Sequence, residues 1–176
     1  GGADITISNV AIPAFDHDAD SMTADVLSAN GLRVNSGTGD LVLSAIGDIF
    51  VHNRGIDARS DGGTINVGVI GDVSSDNSDG IYVSGGATTG AITIDTQGIV
   101  SAENYGINVV RAGSGSLNVT TGGDVSTGGD GIRLESGNGG DIAVTVNADI
   151  ETGNIGINSV GSFNGLVGTS EFNLNA

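Results

Sequence analysis

Carboxylates are the most abundant reactive side chains here, with 21 Asp and Glu in 176 residues. The densest group is Asp16-His17-Asp18-Ala19-Asp20. Alternating acids of this kind match the opening of an EF-hand loop, whose oxygens hold Ca²⁺. That loop then needs Gly at its sixth position and Glu at its twelfth, where this chain has Ser21 and Leu27. Opportunistic Ca²⁺ binding and a solvated acidic loop are the two readings left. Gly137-Asn138-Gly139-Gly140-Asp141-Ile142 matches half of a Ca²⁺-binding nonapeptide. That chemistry needs recurrence every nine residues, which this chain lacks. His17 and His52 stand in different contexts, so no histidine metal pair is expected.

Two further carboxylate patterns recur along the chain. Asp25, Asp48, Asp72, Asp124 and Asp149 each precede a single apolar residue, and Ile99 fills the missing place. If they stack, like charges at about 4.8 Å repel by roughly 0.9 kcal/mol even in water. Turn amides satisfy such a ladder, or cations and mild acid relieve it. The second pattern is Arg33, Asp57, Tyr82, Asn108, Arg133 and Asn158, one residue from each repeat. Arg33 and Asp57 are expected to pair across neighbouring repeats. Glycan cleavage needs clustered carboxylates and a base, and no second acid stands beside Asp57 in this row. No catalytic, cofactor or metal residue is therefore assigned.

The elements that would position these residues come from composition and repeat. Gly accounts for 32 residues, Cys for none, and all five basic residues are Arg. Ile, Val, Thr, Asn, Asp and Gly dominate, which favours strands and turns over helices. A net charge of −16 excludes a duplex nucleic-acid binder, which needs a basic face. It also disfavours anionic lipid surfaces. No apolar run is long enough to span a membrane, and no signal peptide is expected. The absence of Cys suits a chain exported unfolded.

Three short motifs repeat about every 25 residues. Apolar–x–apolar occurs at Ile5, Leu41, Ile65, Ile92, Leu117, Ile142 and Phe172. Gly followed by apolar–x–apolar or small occurs at Gly31, Gly55, Gly80, Gly106, Gly131 and Gly156. The Asp ladder is the third. Strands this short bury no face alone, so the units must stack. The expected fold is all-β: a right-handed parallel β-helix with three sheets and three short strands per coil. Residues 1–176 form one segment, with coils beginning near 24, 47, 71, 98, 123 and 148. Gly ahead of each second strand suits a corner with positive φ. A β-sandwich of hairpins would not keep this unit length. Two intervals are too long, so residues 10–23 and 160–170 are expected to project as loops. Pro13, Phe15, Asp16, His17, Asp18 and Asp20 make the first a candidate partner-binding loop. The outward Thr of the first motif would also suit an ice-binding face, but Asn66, Val42, Ala143 and Asp95 interrupt it.

Gly123-Asp124-Val125-Ser126, Gly131-Ile132 and Ile142-Ala143-Val144 give the clearest unit. This pattern resembles the passenger region of Gram-negative autotransporter adhesins, over residues 1–9 and about 24–176. The resemblance implies a β-helix displayed on the bacterial cell surface, without enzymatic activity. It implies a host or neighbouring-cell surface protein or glycan as partner. The family's membrane barrel is absent from this segment, and no Gly-Asp-Ser-Gly protease signature occurs. The alternatives are a filament subunit that stacks end to end and, further off, a polysaccharide lyase or hydrolase.

Overall fold

Period-two alternation of Ile, Val and Leu between Gly- and Asp-rich turns produces short strands, one side of each apolar. The computed structural model describes residues 5–11, 31–161 and 165–168. In chain order the strands begin with β1 (Ile5–Ala11), β2 (Leu32–Asn35), β3 (Leu41–Ile46), β4 (Ile49–Val51) and β5 (Ile56–Ile70). β6 (Val73–Ser75), β7 (Ile81–Thr96), β8 (Val100–Ala102), β9 (Ile107–Arg111) and β10 (Leu117–Thr121) follow. The last six are β11 (Val125–Thr127), β12 (Ile132–Ser136), β13 (Asp141–Val146), β14 (Ile150–Thr152), β15 (Ile157–Gly161) and β16 (Gly165–Gly168). Each strand pairs in parallel with its counterpart one coil away, as in Leu117↔Ile142, Val125↔Ile150 and Ile132↔Ile157. The fold is a β-solenoid of the parallel β-helix type.

Three faces follow one another in every coil. The Asp–apolar motif forms the first face, a five-stranded sheet of β4, β6, β8, β11 and β14. The Gly–Ile motif forms the second and the apolar–x–apolar motif the third. These two faces were expected as separate sheets, yet they belong to one eleven-stranded sheet. The reason is that β5 and β7 run unbroken round the corner between them, with register shifts near Gly62 and Gly63. Inside, the apolar ladders meet in one narrow core. Ile65, Ile92, Leu117 and Ile142 of the third face, and Ile56, Ile81, Ile107 and Ile132 of the second, are fully buried. Val73, Val100 and Val125 close the first face.

Two expectations about the loops need correction. Ile142 does not stack on Phe172, because its register partner is Leu166 of β16. Gly165-Leu166-Val167-Gly168 therefore continues the third face inside the stretch 160–170 that was expected to project. The step from Ile142 to Leu166 keeps the normal period, whereas Phe172 would have lengthened it. At the other end, Val10 and Ala11 still pair with Ala45 and Ile46, after an irregularity beyond Ile7. The strand thus takes the first two residues of the expected 10–23 loop. Pro13, Phe15, Asp16, His17, Asp18, Asp20 and Phe172 lie outside the described residues.

The glycines ahead of the second face also have a different cause. None of Gly31, Gly55, Gly80, Gly106 and Gly131 has positive φ. They are needed for close approach. A Cβ on Gly80 would lie 2.8 Å from the Gly106 carbonyl oxygen and 2.8 Å from Val100 Cγ1. Positive φ occurs instead at other turns, such as Gly71 at 127° and Gly139 at 78°.

Candidate functional site

Four of the five Arg and both Tyr gather on the outside of the second face. Arg33, Arg59 and Arg133 project from β2, β5 and β12, and Tyr82 from β7. Arg54 and Tyr105 occupy the turn just before that face, each one residue ahead of its Gly. Parallel register at about 4.8 Å per coil brings these side chains within reach of one another.

Asp57 is the centre of the first half of this strip and is only 2 % exposed. Arg59 grips it with two parallel bonds, Nε to Oδ1 at 2.6 Å and Nη2 to Oδ2 at 2.8 Å. Such a fork is the strongest geometry open to a guanidinium and a carboxylate. The bond to Asp57 raises the Arg59 pKa above its ordinary value, more than burial lowers it. Arg54 Nη1 reaches Asp57 Oδ2 at 3.4 Å, and its Nε reaches Asp79 Oδ2 at 3.5 Å. The expected Arg33–Asp57 pair is present, with Nε 3.7 Å from Oδ2. Arg54 lies over the Tyr82 ring, 3.8 Å from its centre, and Arg59 approaches the same ring at 5.3 Å. Cation–π attraction of this kind fixes both partners.

Asp79 was not anticipated, and it links the two halves. It is as buried as Asp57. Asn104 Nδ2 donates to its Oδ1 at 2.8 Å, and Asn108 Nδ2 donates to its Oδ2 at 3.1 Å. Asn108 Oδ1 in turn accepts from Arg133 Nη1 at 3.2 Å. Arg133 bonds Glu135 at 2.7 Å and stands 5.5 Å from the Tyr105 ring centre. Asp130 repeats the Asp79 arrangement two coils on. It accepts from Asn154 Nδ2 at 2.6 Å, Asn158 Nδ2 at 2.7 Å and Ile155 N–H at 3.3 Å.

The row of Arg33, Asp57, Tyr82, Asn108, Arg133 and Asn158 therefore holds two kinds of position. Arg33, Tyr82 and Arg133 cover the surface, while Asp57 and Asn108 are buried beneath their neighbours. A second acid does stand near Asp57, but it comes from the turn and not from the row. A signal for this exists in the sequence. Asn53-Arg54-Gly55-Ile56-Asp57, Asn104-Tyr105-Gly106-Ile107-Asn108 and Asn154-Ile155-Gly156-Ile157-Asn158 recur every second coil. Asp79-Gly80-Ile81 and Asp130-Gly131-Ile132 occupy the coils between. The true repeat on this face is two coils long.

The Asp ladder of the first face is held by backbone. Asp48 Oδ1 accepts the Asp72 N–H at 2.9 Å, and Asp72 Oδ1 accepts the Ile99 N–H at 2.8 Å. Asp124 Oδ1 accepts the Asp149 N–H at 3.0 Å. These contacts show the turn amides bonding Asp48, Asp72 and Asp124. No protein-family model matches the chain, and neither a curated protein nor a solved structure does.

Proposed function

We propose that this chain is a non-enzymatic, adhesive β-helical segment displayed at a cell surface, as in the autotransporter passengers it resembles. Its recognition surface is the arginine–tyrosine strip. The observation that carries this reading is the concentration of four of the five Arg and both Tyr on one face of a chain with net charge −16. The strip is preorganised, because each guanidinium is stacked or ion-paired before a partner arrives. A preordered surface spends less side-chain entropy on association. Tyr and Arg are also the residues that dominate binding energy in protein interfaces. Asp57, Asp79 and Asp130 are committed to guanidinium and amide donors, an arrangement suited to holding a surface rather than to moving protons. The partner class is a surface glycan or protein with anionic groups. Among the described residues no helix is long and apolar enough to cross a membrane.

The test is binding of the purified chain to whole cells and to a glycan panel. Arg33→Glu and Arg133→Glu together should weaken binding at least tenfold with an unchanged β-type circular dichroism spectrum. Unchanged binding by that variant, with loss on deletion of residues 13–21, would move recognition to the acidic loop. Binding by neither route, with mass rising with concentration on size exclusion, would favour the filament reading.

A further inference from the structure

The turn after β12, Gly137-Asn138-Gly139-Gly140, takes no part in the arginine–tyrosine strip or the Asp ladder. It carries two glycines of positive φ, Gly139 at 78° and Gly140 at 103°. Asn138 is exposed, and its Nδ2 donates to the Ala112 carbonyl of the coil before. The Gly137 N–H donates to the Arg111 carbonyl at 2.8 Å. The Gly139 N–H, by contrast, has no acceptor among the described residues. Asn138 is also the only Asn among the described residues that is followed by Gly. A glycine there leaves no side chain between the backbone nitrogen and the preceding side-chain amide. Asp79-Gly80 and Asp130-Gly131 share the following glycine, but its N–H is held in both. Gly80 donates to the Tyr105 carbonyl and Gly131 to the Ile155 carbonyl, each at 2.9 Å.

Beneath this turn lies the fifth arginine. Arg111 ends β9 at an inward position, in phase with the buried Ile107 and Val109, and is 1 % exposed. Its Nη2 donates to Ser136 Oγ and to the Gly139 carbonyl, both at 2.7 Å. Nε and Nη1 have no hydrogen-bond partner. Among the described residues, no carboxylate lies within ion-pair distance of this guanidinium. A guanidinium stays protonated in proteins, so an uncompensated positive charge rests against Gly139. Held away from water, such a charge favours negative charge that develops close by. The adjacent coils place Gly85 and Ser136 at this position, so the ladder itself has no need of an arginine.

We propose that Asn138-Gly139 is a self-modification site, where the Asn138 amide is converted to an acid through a cyclic imide, with Arg111 as the promoting cation. Hydroxide removes the Gly139 amide proton. The nitrogen then bonds Asn138 Cγ, the Cγ–Nδ2 bond breaks, and Nδ2 takes up a proton and leaves as ammonia. Water opens the imide ring. Cleavage between the nitrogen and Cγ leaves an aspartate, and cleavage between the nitrogen and the Asn138 backbone carbonyl carbon leaves an isoaspartyl linkage. A water is consumed and an ammonia released. Ring closure is intramolecular, so the reacting atoms are already neighbours. Arg111 touches neither of them and acts through its charge, as a positioning residue. The new carboxylate stands beside a cation that lacked one, which lowers the cost of burying it. The site lies at the corner between the second and third faces, apart from the strip, and does not depend on the adhesive reading.

Fragment mass spectra of the wild type held in mildly alkaline buffer are the first measurement. The mass gain of an amide-to-acid exchange should appear at residue 138, form faster as pH rises, and be absent from Asn138→Gln. It should also form faster in the folded chain than in the same chain unfolded in urea, where Arg111 no longer lies beside the turn. Arg111→Ser, which installs the residue of the next coil, is the second measurement. With an unchanged circular dichroism spectrum, conversion should slow about tenfold, the effect of one unit in the acidity of the attacking nitrogen. A purely structural Arg111 gives the opposite result, because its loss frees the turn and speeds the reaction. No gain at residue 138 in the folded chain, or conversion in Arg111→Ser as fast as in the wild type, would overturn the proposal. Should Arg111→Ser fail to fold, the folded and urea-unfolded wild type decide the matter, and slower conversion in the folded chain overturns it.

Discussion

Asn108 of one coil donates its side-chain amide to the buried Asp79 of the coil before it, 3.1 Å from Nδ2 to Oδ2. Asn158 does the same to Asp130 at 2.7 Å. In both cases a second Asn, four residues earlier, takes the other carboxylate oxygen. Strand register alone would let coils be exchanged freely, since their apolar ladders are alike. The Asp–Asn clamp removes that freedom, because an acid coil must be followed by an amide coil.

Asn108→Ala should therefore cost about 1–3 kcal/mol, the range for a buried acceptor that loses its donor. The same change strips Arg133 Nη1 of its acceptor. Urea unfolding gives the number, with an unchanged slope if the native coil is retained. Asn104→Ala and Asn108→Ala share one carboxylate, so their combined cost should differ from the sum of the single costs. Strict additivity would mean that the two amides act independently of Asp79.

The coil and its phase were legible because the apolar residues repeat in every unit. The clamp was not, because it repeats only in every second unit. The residue ahead of each Gly reads Asn30, Arg54, Asp79, Tyr105, Asp130 and Ile155, which looks random at a period of one coil. Arg111 escaped notice for another reason. Its parity with Ile107 and Val109 points inward, but an arginine is ordinarily surface-seeking and the residue type outweighed the spacing. Phe172-Asn173-Leu174 carries the apolar–x–apolar signature, and Leu166-Val167-Gly168 does not. The fold keeps the period and accepts a glycine at Gly168 instead.

The Arg59–Asp57 fork sets an expectation for pH. Asp57→Asn keeps the shape but removes the charge. The loss should be about 1–2 kcal/mol, low in the range for charge-assisted bonds because Arg59 is 33 % exposed and partly screened. The raised Arg59 pKa gives stabilisation that is fully present below the ordinary guanidinium value and lost only as pH climbs through the still higher folded value. The difference between wild type and Asp57→Asn due to this guanidinium should therefore be constant from about pH 6 to pH 10. Melting curves at several pH values check it. A gap that closes within that window would assign the effect to another group.

Gly80→Ala tests the spacing between coils. The added methyl would sit 2.8 Å from a backbone oxygen, so no rotamer change removes the clash. Overpacking of this kind costs about 1–3 kcal/mol. Gly37 is the contrasting site. Nothing lies within 4 Å of a Cβ there, but its φ is +67°. Gly37→Asn should be tolerated, since Asn accepts that backbone region, whereas Gly80→Asn should fail. Equal melting points for the two Asn variants would show that the coils part easily.

The Asp ladder separates hydrogen bonding from charge. Asp72 Oδ1 accepts the Ile99 N–H, and its own N–H donates to Asp48. Asp72→Asn keeps an oxygen at the accepting position and removes one of the neighbouring charges. Asp72→Ala removes the acceptor altogether. If the amides satisfy the ladder, the alanine should cost about 1 kcal/mol and the asparagine close to nothing. Repulsion between adjacent carboxylates would even favour the asparagine slightly. Millimolar Ca²⁺, compared with Na⁺ at equal ionic strength, should then leave the melting point unchanged in all three proteins. A rise with Ca²⁺ in the wild type that disappears in Asp72→Asn would reverse the conclusion. It would mean that cations bridge the ladder, with the amide contacts secondary.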